Sequence, residues 1–260
     1  MDNQTVNYDE TIAEFCLMDD AFMTKVFEDN IPCTELLLQI ILQDDTIKVK
    51  TTKTQSLQKN LQGHDVILDI LAEKKDGTLF NVEVQNRSEG AVPQRARYHA
   101  SVLDTNNLPS GEKYKDLPDT YVIFITQTDI LRGGLPIYHI KRTIEENGNT
   151  FGDGSQIIYV NNQIKNNTPL GLLMHDFSCK EPEKMHYKVL AERAAYFKET
   201  KGGRLEMSGA MEKLMEKVNH ERNVEVAKNM LAEGMSIEVV TRISKLTLEE
   251  VRALAQKQSA

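Results

Sequence analysis

Between Val66 and Gln85 the chain alternates apolar and polar positions in two short runs. Val66, Leu68, Ile70 and Ala72 form the first, and Phe80, Val82 and Val84 the second, with Lys-Lys-Asp-Gly between them. Alternation of period two around such a turn predicts a β-hairpin. Every apolar position is even-numbered, so the two sets share a core face only if paired residue numbers have an even sum. A two-residue Asp76-Gly77 loop pairs 75 with 78 and sends the sets to opposite faces. A three-residue loop, Lys75-Asp76-Gly77 with Gly77 at the left-handed bulge position, pairs 74 with 78 and keeps them together. That register also places Asp69 across from Glu83, with Gln85 one pleat further along the same face.

Outside the hairpin the period changes. Residues up to about 45 read as helices. "DDAFMTKVFED" has acids in its opening turn, and "CTELLLQIIL" has Thr34 as its expected N-cap. "IKVKTTKT" predicts a strand, "PQRARYHASVLD" a helix with proline near its first turn, and "TYVIFIT" a buried strand. "GLPIYHIKRTI" and "SQIIYVNN" predict two more strands, and the pattern is helical from about Met185 onward. Met207, Met211, Leu214, Met215 and Val218 form the expected buried stripe of one helix. The class is α/β, with elements in the order helix, three strands, helix, strand. "KETKGG" marks the expected boundary between a domain over 1–203 and a small helical region over 204–260. In that region Ser236 and Thr247 are expected N-caps, and Thr247 with Glu250 makes a capping box. A helix-turn-helix-like DNA module and a packing or dimer-forming element both fit the region.

The net charge of −8 argues against a protein that grips nucleic acid through an overall basic surface. It leaves room for an enzyme whose carboxylates hold cations. Cys16, Cys33 and Cys179 form no CxxC pair, so neither a disulfide framework nor a structural zinc is expected, and a reducing cytoplasm fits. "MDNQTVNYDE" does not read as a secretory signal, and "LLLQIIL" is too short to span a bilayer, so no membrane partner is expected.

The hairpin carries the candidate chemistry. Asp69 and Glu83, within about 5 Å at Cβ, repel when both are ionised. A divalent cation between them removes that cost, and hard carboxylate oxygens suit Mg2+ or Mn2+. The plain alternative is a solvated sheet face with scattered acids. Ile67, Leu71 and Leu79 on the same face point instead to partial cover.

An Asp on one strand and Glu-x-Gln on the next resembles the PD-(D/E)XK nuclease superfamily, with Gln85 where the signature lysine usually stands. "HDVILDILAEKKDGTLFNVEVQNR", "QRARYHASVLD", "TYVIFITQTDILRGGLPIYHI", "FGDGSQIIYVNN" and "LMHDFSC" resemble the Rpn-type recombination-promoting nucleases, or PD-(D/E)XK nuclease family transposases, over roughly residues 15–200. This resemblance implies a restriction-endonuclease-like core, a mixed central sheet flanked by helices, and a Mg2+-dependent DNA endonuclease, with Mn2+ as a substitute, associated with recombination or mobile elements. It implies that Asp69 and Glu83, with the Val84 carbonyl, ligate metal and that Gln85 orients the attacking water. Arg95, read as an exposed helix position, is the expected phosphate contact. Tyr98 joins it there or serves in packing. Glu35 either completes the metal site from the first core helix or is a first-turn acid facing the helix dipole. His64 and His99 flank the site and are expected to be structural or solvent-facing. DNA is the expected partner, with a homodimer as a further expectation. The rival reading is a catalytically silent nuclease fold that binds DNA or protein, because Gln85 cannot supply a lysine's charge.

Overall fold

The computed structural model describes residues 8–60 and 64–258, so most of the acidic amino-terminal stretch lies outside them. Helices α1 (Asp9–Glu14), α2 (Asp20–Phe27) and α3 (Ile31–Leu42) precede strands β1 (Val49–Gln58), β2 (Val66–Lys74) and β3 (Leu79–Gln85). Helix α4 (Pro93–Asn107) then crosses to β4 (Thr120–Thr126), followed by β5 (Ile137–Ile140), β6 (Ser155–Asn161), α5 (Pro169–Ser178) and α6 (Lys188–Glu199). The strands form one sheet in the order β1-β2-β3-β4-β6-β5. Pairing is antiparallel for β1–β2, β2–β3 and β5–β6, and parallel for β3–β4 and β4–β6. This is the mixed sheet that the family resemblance implies. No helix among the described residues is long and apolar enough to cross a membrane.

One helix start departs from expectation. Asn30, not Thr34, caps α3, its Oδ1 accepting from the Cys33 N–H at 3.0 Å. Pro32 lies in the first turn, where its missing N–H costs nothing. Thr34 is inside the helix and fully buried, its hydroxyl 3.0 Å from that of Thr52 on β1.

The hairpin has the even register. Ile70 pairs with Val82, Leu71 with Asn81, Ala72 with Phe80 and Glu73 with Leu79. The Lys74 N–H donates to the Thr78 carbonyl and the Gly77 N–H to that of Lys74, closing a three-residue loop with Gly77 at φ 92°. A Cβ built on Gly77 meets nothing within 4 Å. The penalty of Gly77→Ala is therefore purely conformational, and we expect about 1–2 kcal/mol of lost stability in a denaturant titration. An unchanged midpoint would show that the bulge does not hold the register.

Helix α4 follows β3 and covers the sheet through Ala96, Ala100 and Leu103, which pack with Val122, Phe124 and Tyr159. Val122 and Phe124 sit beside Asn81 and Glu83 in the parallel register, so α4 roofs the face that carries Glu83.

Helix α7 (Lys201–Ala232) runs unbroken through Gly202 and Gly203, and the chain divides into two compact units inside it, between Met207 and Ser208. In the second unit, α8 (Ile237–Ser244) and α9 (Leu248–Gln258) close on a core of Ala227, Val240, Leu246 and Val251. The Ser236 hydroxyl caps α8. Thr247 and Glu250 bond reciprocally at the start of α9, as the capping box predicts. The expected stripe along α7 is buried at Met207, but Met215 and Val218 are 52% and 48% exposed.

Candidate active site

The β2–β3 ladder ends at Ile70 and Val82, although β2 stays paired with β1 to Val66 and β3 with β4 to Gln85. The two strands fork at the point where the register sets Asp69 opposite Glu83. On the other side of β2, Gln55 takes a left-handed φ of 49° opposite Asp69, and the β1 ladder skips both residues. A fork leaves main-chain N–H groups without ladder partners. Here the carboxylates take them: the Asp69 N–H donates to Glu83 Oε1 at 3.3 Å, and the Val84 N–H to Asp69 Oδ2 at 2.9 Å.

Glu83 is fully buried, which demands compensation of its charge. Arg95 reaches down from α4 and donates from Nη2 to Glu83 Oε2 at 3.0 Å. Its Nε and Nη1 groups are also committed. Nε donates to His99 Nε2 at 3.2 Å, and Nη1 to the Gly90 carbonyl at 2.9 Å and to Gln85 Oε1 at 3.4 Å. Arg95 can only donate, so His99 Nε2 accepts and the ring proton belongs on Nδ1. That nitrogen lies 3.0 Å from the Asn81 amide and 3.4 Å from Glu83 Oε1. Turning the Asn81 amide so that its oxygen faces Nδ1 gives that proton an acceptor. Asn81, His99 and Arg95 thus form one chain of side chains that positions Glu83.

Asp69 has the opposite condition. Burial first, and Glu83 second, push its carboxyl well above the usual carboxylate range. The Val84 N–H opposes this, Asp20 adds to the rise, and Arg95 opposes it. Negative charge is therefore under-compensated on the Asp69 side of the fork. Two carboxylates in that condition form a hard oxygen donor set suited to a divalent cation such as Mg2+ or Mn2+.

The structure brings Asp69, Glu83, Gln85, Val84 and Arg95 together and separates two other candidates from them. Arg95 is not the free surface residue expected: its side chain is 35% exposed and paired with a fully buried acid. The hydroxyl of Tyr98 is engaged elsewhere, donating to the His64 carbonyl at 2.6 Å and accepting from Asn60 Nδ2 at 3.0 Å. It ties α4 to the β1–β2 connection, which places it in packing and not at a phosphate. His64 is solvent-exposed and enters only through its main chain, whereas His99 is buried within the site network. Glu35 binds Lys48 Nζ and the Val49 N–H at 2.7 and 3.1 Å. Val49 is near the turn end of the sheet, opposite Lys74, and six residues before Gln55. At about 3.3 Å per residue this puts Glu35 about 20 Å from the fork. Burial pushes the Glu35 carboxyl up, but Lys48 and the Val49 N–H outweigh it and hold it below its ordinary value.

The acid near the fork is Asp20, in the first turn of α2, which accepts from Gln55 Nε2 at 3.1 Å. The sequence shows it only as one of the acids in the opening turn of a helix. No local pattern links a helix start to a strand position about fifty residues on. Gly90 is the other silent participant, because a Cβ there would lie 2.2 Å from Gln85 Oε1.

Two family models match the chain. The first, described as PD-(D/E)XK nuclease family transposase, covers residues 25–168, more than half of the chain, including β1 to β6 and the fork. The second, described as Rpn/YhgA-like nuclease family, C-terminal HTH domain, covers residues 220–256. Of the two readings of the helical tail, it supports the helix-turn-helix. No curated protein and no solved structure matches the chain.

Proposed function

The chain belongs to the PD-(D/E)XK nuclease family transposases, and from that premise we propose that it hydrolyses DNA phosphodiester bonds with a divalent cation, Mg2+ first, held by Asp69 and Glu83. The observation that carries this reading is the fork itself. A fully buried and a partly buried carboxylate share it, the second with its acidity suppressed by desolvation and by the first. The Val84 carbonyl remains the expected further ligand. When bound, the cation supplies an activated water and positive charge at the scissile phosphate.

The chain's own residues do the positioning. The Val84 N–H fixes one Asp69 oxygen, while the Asn81–His99–Arg95 chain fixes Glu83. Gln85 orients the water through its amide. It lacks the charge of the lysine usual at this position, and Arg95, bonded to its oxygen, brings a cation to the same place. The Arg95 side chain is about one-third exposed, and the second Nη2 proton is the donor we assign to phosphate. The tail, matched by a helix-turn-helix model, supplies a second DNA contact in this reading.

The test is nicking of supercoiled plasmid with Mg2+ or Mn2+, together with the unfolding midpoint as each cation is added. The parent should nick and be stabilised by cation, and Asp69→Ala should lose both. A parent that is stabilised by cation and binds DNA but never cleaves would favour the silent binding reading, which Gln85 keeps open. For Gln85→Ala we expect about a tenfold loss of cleavage at saturating cation, from lost positioning of the water. Gln85→Lys would set an ammonium against Arg95, so rescue of the usual family pattern is not expected here.

A further inference from the structure

Among the described residues, His175, Asp176 and His186 offer donor atoms that all lie within 4.8 Å of one another. They share no residue with the fork. His175 and Asp176 sit in the last turn of α5, and His186 in the segment entering α6. The Asp176 carboxylate is fully buried, yet no Lys or Arg among the described residues pairs with it. Its one side-chain partner is His175, whose Nδ1 is 3.1 Å from Oδ1. Main-chain groups lock the carboxylate in place: the His186 N–H donates to both oxygens at 2.8 and 3.0 Å, and the Tyr187 N–H to Oδ2 at 2.8 Å. The two imidazoles meet edge to face with ring centroids 4.6 Å apart, and both reach solvent.

We propose that His175, Asp176 and His186 form a second cation site, selective for Zn2+ or a similar transition ion over Mg2+. Two imidazole nitrogens and one carboxylate oxygen are the donors such ions favour. Nitrogen and oxygen ligands at about 2.0–2.2 Å from one ion stand about 3–3.5 Å apart, and the His175–Asp176 separation already meets this. The main-chain bonds to Asp176 supply the orientation that metal-binding carboxylates usually receive from neighbouring groups. Solvent would complete the coordination on the open side. The ion would clamp the end of α5 to the start of α6 and neutralise the buried carboxylate.

The experiment titrates the untagged full chain with Zn2+ by calorimetry and with Co2+ by visible absorption, and follows the unfolding midpoint with Zn2+ and with EDTA. In Asp69→Ala, which lacks the fork site, we expect one Zn2+ per chain, intense d–d bands of a four- or five-coordinate Co2+ site, and a midpoint raised by Zn2+. His186→Ala and His175→Ala should each weaken binding by about tenfold or more and abolish the bands. His186→Ala removes an exposed side chain whose ring packs on that of His175 and leaves the main-chain bonds to Asp176 intact, so its midpoint in EDTA should stay close to the parent's. Asp69→Ala should retain this Zn2+ site. Binding that survives both histidine substitutions, or that vanishes in Asp69→Ala, would overturn the assignment.

Discussion

Glu83→Gln should lower Mg2+-dependent plasmid nicking by about 10³-fold while leaving the protein folded. Loss of a metal-ligating carboxylate removes several kcal/mol of transition-state stabilisation, and each 1.4 kcal/mol is a factor of ten in rate. The substitution is isosteric, so the amide oxygen can still accept from Arg95 Nη2, at the cost of the weak bond that Glu83 Oε1 accepts from the Asp69 N–H. The readout is the nicking rate at saturating cation, alongside the thermal shift that Mg2+ produces. Loss of both, with an intact far-UV spectrum, is the expected pattern. Nicking within tenfold of the parent would remove Glu83 from the site.

Arg95→Ala should act on the fold as well as on cleavage. Truncation strands a fully buried carboxylate and removes donors from Gly90, Gln85 and His99 at once. Breaking a fully buried ion pair costs about 3–5 kcal/mol. The Arg95 side chain is about one-third exposed, so solvent screening lowers the expectation to about 2–3 kcal/mol in a urea titration. Cleavage should fall too, by about 10²-fold, through lost contact with the phosphate. Combining Arg95→Ala with Glu83→Gln provides the internal check. A neutral amide needs no counter-cation, so the double variant should regain at least about 1 kcal/mol relative to Arg95→Ala alone. Stability that is additive across the pair would show that Arg95 does not compensate Glu83.

The carboxylate pair was legible because strand parity is a local property. The alternation of Val66 to Ala72 and of Phe80 to Val84, with Gly77 able to take a positive φ, permits one register, and that register brings Asp69 to Glu83. The capping box at Thr247 was legible for the same reason, since its partners are three residues apart. The residues around the pair were not. Asp20 and Glu35 both lie near the start of early helices, and nothing local says which start abuts the fork. The packing of α2 and α3 on β1 decides it, putting Asp20 beside Gln55 and Glu35 beside Val49. On α4, Arg95 and Tyr98 both looked available for phosphate. Which of them reaches the site depends on how the helix seats over Phe124 and Tyr159 and on where the β1–β2 connection runs. Sequence by itself determined the spacing of the two acids, because pleat and turn chemistry act over a few residues. Tertiary structure alone decided their counter-ion and their third acidic neighbour, because compensating a buried charge depends on whatever the fold packs against it.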